Sequence, residues 1–317
     1  MEYRIFCDDL KAEVERVMGP DYDVRFESVL KNNYVKYDAL VIMKRGEHIA
    51  PTVCLNGYYD EYNKGQKISD IAQSLIAWYE QHKGQLTIAP EVFYDYDNIR
   101  DNIFVKVINA KMNETLLKRL PHICYYDLAM IAYWEVEHEG ARRGVANITN
   151  GQLEVWNIDK QRLFSDAVTN TKKKNAPKLE SLSDMMKELL AARLDMASYK
   201  VGEDGEMDIS LARVMDDIDA MDDQKIYVLT NEQKVDGAVY MLFDDVLESI
   251  SIQLGTDFCI IPSSVHEVLL VPKDDTIDYE YLQEMVVSVN ESYVEPEEVL
   301  SENVYVYERG KGILWEE

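Results

Sequence analysis

The sequence predicts an α+β protein in two lobes, each a mixed or mainly antiparallel sheet with packed helices. Three observations lead there. Apolar residues repeat at helical spacing in some segments and alternate or run in short stretches in others, without strict strand–helix–strand repetition. Turn residues such as Asn32-Asn33 and Asn150-Gly151 separate strand-like runs closely enough for hairpins. Finally, 317 residues with 47% apolar content can bury an ordinary core, and the length suits more than one domain. The lobes are expected at residues 1–170 and 225–317, joined by a helical, acidic connector over 171–224.

In the first lobe, Phe6, Leu10, Val14 and Val17 share one helix face that Gly19-Pro20 ends. Val24–Leu30, Tyr37–Met43 and Ile49–Leu55 read as strands. Ile68, Ile71, Ala72, Leu75, Ile76 and Tyr79 then form one continuous apolar stripe, a clear amphipathic helix. A short helix is expected within the Tyr-rich residues 91–98, a strand over Ile103–Ile108, and a basic helical turn before Pro121. Residues 123–136 read as one long buried strand, with Ala141–Ile148 and Gln152–Trp156 as hairpin partners across Asn150-Gly151.

A helix is expected over Ile158–Val168, and Lys172–Pro177 reads as an exposed break. Ser181-x-x-Asp184 resembles a capping box ahead of Leu182, Met185, Met186, Leu189, Leu190 and Leu194. The C-terminal lobe follows the order strand, helix, strand, strand, helix, strand. Its strands are Ile226–Leu229, Phe258–Ile261, Glu267–Val271 and Val304–Tyr307, with Ile313–Trp315 closing the sheet. Its first helix carries Val239, Leu242, Phe243, Val246, Leu247, Ile250 and Leu254 and ends at Gly255. The second is expected to be capped by Asp275 and to carry Leu282, Met285, Val286 and Val289.

Charge narrows the function. Lys and Arg number 33 against 59 Asp and Glu, a net charge of −26. Such a chain repels phosphate backbones and anionic bilayers, so neither direct nucleic-acid binding nor membrane binding is expected. The most apolar run, Ile123–Trp134, contains Asp127 and falls short of the ~20 residues of a membrane span. The N-terminus lacks a basic segment followed by an apolar run, so no signal peptide is expected. Cys7, Cys54, Cys124 and Cys259 are far apart and read as buried free thiols of a reducing cytoplasm.

The usual chemical signatures are absent. There is no Gly-x-Gly-x-x-Gly, no Gly-x-x-x-x-Gly-Lys-Ser/Thr, no His-Glu-x-x-His and no Gly-x-Ser-x-Gly in the sequence. No cofactor and no metal are expected. Asp216, Asp217, Asp219, Asp222 and Asp223 are dense enough for a calcium loop but lack its Gly and its closing Glu. If the chain is an enzyme, its candidates are Ser263, Ser264, His266 and Glu267, crowded into one inter-strand turn. His266 and Glu267, as sequence neighbours, point to opposite faces and cannot pair as base and orienter. An alternative hydrolase-like or small-ligand-binding module would use that turn. The favoured reading is a non-enzymatic interaction protein with an acidic, Tyr-rich surface and a protein partner that carries a basic surface. Its binding residues would be Tyr58, Tyr59 and Tyr62 together with the acidic run Asp216, Asp217, Asp219, Asp222 and Asp223. In its sharpest form, that surface imitates nucleic acid toward a basic groove.

Ala50-Pro51-Thr52-Val53-x-Leu55-Asn56-x-Tyr58-Tyr59, followed by Gly65 and the helix from Ile68, resembles the signature of a protein family of gut Clostridia. That family is known only as a domain of unknown function. The resemblance extends to Gly151-x-Leu153-x-x-Trp156, to Ala167-x-x-Asn170-Thr171 and to Pro262-Ser263-Ser264-x-His266-Glu267, and so covers most of the chain. The C-terminal lobe from Ile226 is also distantly similar to an uncharacterised Bacillus family. These resemblances imply a bacterial protein and bring no activity, cofactor or catalytic residue.

Overall fold

The computed structural model describes residues 2–46, 50, 52–83, 94–136, 144–197, 225–274 and 277–314. The fold is α+β, as the sequence predicts, and every strand pairing whose register is defined is antiparallel. The chain divides into two compact units. The first takes in Met1–Phe104, Lys118–Pro121 and Ala132–Ala167; the second takes in Val105–Leu117, His122–Ile131 and Val168–Glu317.

The first unit opens with helix α1 (Glu2–Met18) and a sheet in the order β1-β2-β3, formed by Tyr22–Leu30, Lys36–Lys44 and Thr52–Cys54. Helices α2 (Asn56–Asn63) and α3 (Ile68–His82) follow. Ile71, Ala72, Leu75 and Tyr79 of α3 meet Phe6, Leu10 and Val14 of α1 and Leu40 and Ile42 of β2 in one buried cluster. Each fully buried Leu or Ile contributes about 1.5–3 kcal/mol, which explains why the helical stripe was the clearest signal in this half. Val17, the expected fourth member of the α1 face, is exposed because the helix ends one residue later.

Beyond α3 lie α4 (Tyr96–Ile99), β4 (Ile103–Asn109), α5 (Glu114–Leu117), β5 (His122–Tyr125), β6 (Leu128–Val136) and β7 (Gly144–Asn147). The long strand expected over 123–136 is therefore a hairpin. Tyr126 takes a left-handed φ of 55°, and Tyr125 pairs with Leu128 across it. No Gly or Asn marks this two-residue turn, so the apolar run hid it.

Gln152–Trp156 is not a strand either. Asn150–Trp156 forms helix α6, followed by α7 (Lys160–Lys174). The Gln152 carboxamide oxygen accepts the Thr149 backbone N–H at 2.8 Å and the Thr149 hydroxyl at 2.9 Å. Asn157 closes α6 in the left-handed conformation, at φ 52°. Helix capping thus overrides the Asn-Gly hairpin cue. Thr149→Ala should cost about 1 kcal/mol, read as a lower denaturant midpoint with an unchanged slope. A change below about 0.3 kcal/mol would refute the capping role.

The largest sheet lies in the second unit. Its strands are β8 (Pro177–Ser181), β9 (Tyr227–Asn231), β10 (Phe258–Pro262), β11 (Val268–Pro272), β12 (Tyr305–Glu308) and β13 (Gly312–Leu314). Their order is β13-β12-β10-β11-β9-β8. Residues Phe258–Pro262 are buried throughout, as befits an interior strand covered on both faces. β8 falls within the segment read from sequence as a connector, and it pairs with β9 from Pro177↔Asn231 to Ser181↔Tyr227. A proline at the first position of an edge strand costs no ladder bond.

Helix α8 (Leu182–Ala197) follows, with the Ser181 hydroxyl accepting the Asp184 N–H at 3.1 Å. A 3-10 helix over Gly237–Leu242 leads into α9 (Asp244–Leu254), closed by Gly255 at φ 75°. α10 (Tyr279–Ser292) is capped by Asp278, whose carboxylate accepts the Tyr281 N–H at 3.1 Å. Asp275, the expected cap, lies outside the described residues. Cys7 and Cys259 are buried, whereas Cys54 and Cys124 are exposed, contrary to the sequence reading. Both stand on short strands at outward-facing positions of the alternation. Among the described residues, no helix is long and apolar enough to cross a membrane.

Candidate functional site

The sequence-predicted catalytic turn joins β10 to β11, and its groups are tightly engaged. The Ser264 hydroxyl donates to Glu267 Oε1 at 3.1 Å and accepts the His266 N–H at 3.0 Å, while the Ser263 hydroxyl reaches the same Oε1 at 3.5 Å. The His266 ring does not face these serines. Its Nδ1 accepts the Asp236 N–H at 3.1 Å, and its Nε2 meets Glu298 Oε1 at 3.3 Å. A backbone donor on Nδ1 places the proton on Nε2, which donates to the carboxylate. Neither ring nitrogen has a lone pair left to take a serine proton. The arrangement draws together Ser263, Ser264 and Glu267 and turns His266 away from them.

The turn is instead a packing joint. Thr230 Oγ1 donates to His266 O at 2.8 Å, and the Val265 N–H reaches Glu298 O at 2.9 Å. Gly237 fits against this joint with no space to spare. A Cβ there would lie 2.5 Å from Thr230 Oγ1, 2.7 Å from His266 O and 2.8 Å from Thr230 Cα. Two of those atoms belong to backbone and cannot rotate away. Gly237→Ala should destabilise the protein by about 2–3 kcal/mol, measured by denaturant unfolding. A neutral result would show that the 3-10 segment shifts freely.

The candidate binding tyrosines of α2 lie in the first unit. Tyr58 and Tyr59 pack against the apolar cluster beneath α1 and α3. Tyr59 stands edge-on to Tyr3, with ring centroids 4.8 Å apart, and Tyr62 lies 5.1 Å from the buried Phe6 ring. These rings spend much of their surface inside the unit, and Tyr62 keeps 37% exposure. Asp216, Asp217, Asp219, Asp222 and Asp223 lie outside the described residues. Sequence reasoning did not single out Tyr281 and Tyr293, which are 63% and 86% exposed. Tyr281 stands in the first turn of α10 and Tyr293 directly follows its end, and nothing in the spacing of the sequence marked either.

A second arrangement had no sequence signature. Asp127, in the β5–β6 turn, accepts the Ser301 hydroxyl at 2.6 Å, the Asn303 side-chain amide at 3.0 Å and the Tyr305 phenol. Burial raises the Tyr305 pKa well above the tyrosine norm, and the Asp127 charge adds to it. Beside this cluster is a hollow of about 260 Å³ lined by residues including Tyr125, Tyr126, Tyr305, Asp244 and Lys311. The Tyr126 hydroxyl donates to Ile313 O at 2.8 Å. A second hollow, of about 340 Å³, is lined by Lys273, Tyr279, Gln283 and Glu308 among others. Among the described residues, no group of His, Cys, Asp and Glu is arranged to hold a metal ion.

These features describe an α+β protein with polar networks built into its turns. The chain belongs to a family of unknown function (DUF5688), which matches residues 3–309. Searches of the curated proteins and of the solved structures gave no match.

Proposed function

We propose that the protein is a non-enzymatic, cytoplasmic bacterial binding protein whose acidic surface engages a protein with a basic face. The finer resemblance to a Clostridia family, and of the C-terminal lobe to a Bacillus family, belongs to the same proposal. The observation that carries the reading is the charge balance. Even if every Lys and Arg found an acidic neighbour, the net charge of −26 would remain uncompensated.

Local pairing uses the cations in just this way. Lys172 lies 2.6 Å from Asp245, and Lys178 lies 2.7 Å from Glu180. Glu308 takes both Lys273 and Lys311, which together hold its carboxyl below the usual range, Lys311 more strongly. An exposed pair such as Lys172–Asp245 adds little stability, with a median of about 0–1 kcal/mol. The consequence of these pairs is electrostatic: the cations are neutralised locally, and the excess carboxylates set the field that a partner meets. The engaged state of the Ser263–Glu267 turn fits a protein that does no acyl-transfer chemistry.

The test is a pull-down of the tagged chain from the lysate of its source organism at ~0.1 M and ~0.5 M salt, where screening lengths differ about twofold. The captured protein is then titrated in purified form. The expected result is one stoichiometric partner of basic isoelectric point, lost at the higher salt and competed by DNA. A partner held equally at both salts, or none at either, would overturn the reading.

A further inference from the structure

We propose that His266 is a proton-operated latch: when neutral it holds the loop of residues 232–236 against the β10–β11 turn, and on taking up a proton it lets that loop go. The proposal stands independently of the acidic-surface reading, because it concerns a local change within the second unit and not the field that a partner meets.

The first support is the occupancy of the ring. The Asp236 N–H donates to His266 Nδ1 at 3.1 Å, and Nε2 meets Glu298 Oε1 at 3.3 Å. Only a neutral imidazole has a lone pair with which to accept. A proton added at Nδ1 would set one N–H donor against another, and the bond to the loop would be lost. The bond to Glu298 would survive, now with a charged donor. One proton therefore acts in opposite directions on the two sides of the ring.

The second support is the backbone that the latch restrains. Lys234 and Asp236 both take a left-handed φ, 53° and 55°, in a loop without glycine. Residues with side chains keep such conformations where their surroundings hold them. Asn231 holds the near side of the loop: its Oδ1 accepts the Gln233 and Val235 N–H groups at 3.0 and 3.3 Å, and its Nδ2 donates to Val235 O at 2.8 Å. On the far side the Asp236 N–H rests on His266. Directly beyond it, Gly237 is wedged against Thr230 and His266 O, so the 3-10 helix stays fixed and the released motion falls on residues 232–236.

The third support is the balance of charge around the ring. Glu298 touches it. The other charged side chains on the elements packed against it are Glu232, Lys234 and Asp236 on the loop, Glu267 on its own turn, and Glu295 and Glu297 on the segment before β12. β9 and the 3-10 helix present Thr230 and Gly237, which do not titrate. Lys234 is drawn away to Glu180 and Glu188, at 3.5 and 3.3 Å. The carboxylates thus favour the charged ring, while the Asp236 N–H favours the neutral one. Each state has its own partner, as a two-state device requires.

Chemistry sets the signal. Histidine is the side chain that ordinarily changes charge between pH ~5 and ~8. His266 is half-buried, so a proton reaches it without unfolding of the sheet. Linkage makes the device reciprocal: whatever holds the loop closed weakens proton binding by the same factor by which the proton weakens closure.

The experiment follows amide hydrogen exchange of the full chain by NMR from pH ~8 to ~5, with each rate corrected for the pH dependence of exchange in an unstructured chain. Protection of the Asp236 amide should fall by about tenfold across that range. Ile260, inside β10, reports global opening and should keep its protection. At the alkaline end the His266 ring nitrogens should show the Nε2–H tautomer. His266→Asn supplies an amide oxygen that accepts without titrating, and should keep Asp236 protected at every pH. Glu298→Gln keeps an acceptor for Nε2–H but removes the charge, and should move the midpoint to lower pH. Asp236 protection that ignores pH, a pH dependence that persists in His266→Asn, an Nδ1–H tautomer, loss of Ile260 protection in step with Asp236, or a Glu298→Gln midpoint at or above that of the parent chain would each overturn the proposal.

Discussion

Asp127→Ala is expected to destabilise the protein by about 3 kcal/mol, because one carboxylate satisfies three donors on a separate segment. Ser301 and Tyr305 are fully buried, so the donors left behind cannot turn to water. The loss is only partly recovered: Tyr305 can still donate to Ser301 Oγ, 3.1 Å away. Asp127→Asn should cost about 2 kcal/mol, since its amide keeps one acceptor but presents donors to donors. Tyr305→Phe removes a donor and leaves an ionised acceptor with two partners, a loss of about 1–2 kcal/mol. A double-mutant cycle between Asp127→Ala and Tyr305→Phe should show a coupling above about 1 kcal/mol. Additive losses, or an alanine substitution costing less than about 1 kcal/mol, would show that the network contributes little.

That network was invisible in the sequence, and the reason is physical. Asp127 stands inside an apolar run, where its only legible meaning was that the run is too polar to span a membrane. Its partners lie at 301, 303 and 305, more than 170 residues away, and no periodicity connects such distant positions. Tyr126 hides the turn because its left-handed backbone is uncommon for an aromatic residue. What was legible was whatever depends on spacing along one element. The stripe of α3 is one example; the Gly255 stop of α9 is another. The order of strands and helices after residue 225 was also legible, since each unit there is short and bounded by its own turn or cap.

Where two local signals competed, the sequence could not decide between them. Asn150-Gly151 favours a hairpin, while Thr149 with Gln152 favours a helix start, and the two readings share the same residues. The helix prevails because Gln152 reaches back to the Thr149 N–H, and Asn157 then supplies a left-handed stop that needs no glycine. The candidate turn shows the same limit for chemistry. Sequence placed Ser264, His266 and Glu267 close together correctly, but it could not show that the Asp236 N–H would occupy the imidazole nitrogen a triad requires.

Stability should fall steeply above pH ~10, the ordinary tyrosine range. Tyr96, Tyr240 and Tyr305 are all buried, and all three phenols are raised well above that range. Burial is the main cause in each; Asp166 adds to it for Tyr96, and Asp127 for Tyr305. A raised folded-state pKa means that the native protein keeps its proton while the unfolded chain releases it. The contribution of each phenol is therefore complete below pH ~10 and is lost as pH climbs toward the folded value. The slope is about 1.4 kcal/mol per pH unit for each tyrosine. The second unit, with Tyr240 and Tyr305, should lose about 2 kcal/mol between pH ~10 and ~11, and the first unit, with Tyr96, about half that. The thiols of Cys7 and Cys259, also raised by burial, act in the same direction from pH ~8.5. Denaturant unfolding at several alkaline pH values, followed alongside tyrosinate absorbance, measures both sides of the linkage. The folded protein should withhold at least these three phenols from titration, and Tyr305→Phe should remove about one proton's worth of slope. If all 21 tyrosines of the folded chain titrate together near pH ~10, these phenols gain nothing from burial, and the alkaline limit of the fold must come from its net charge of −26.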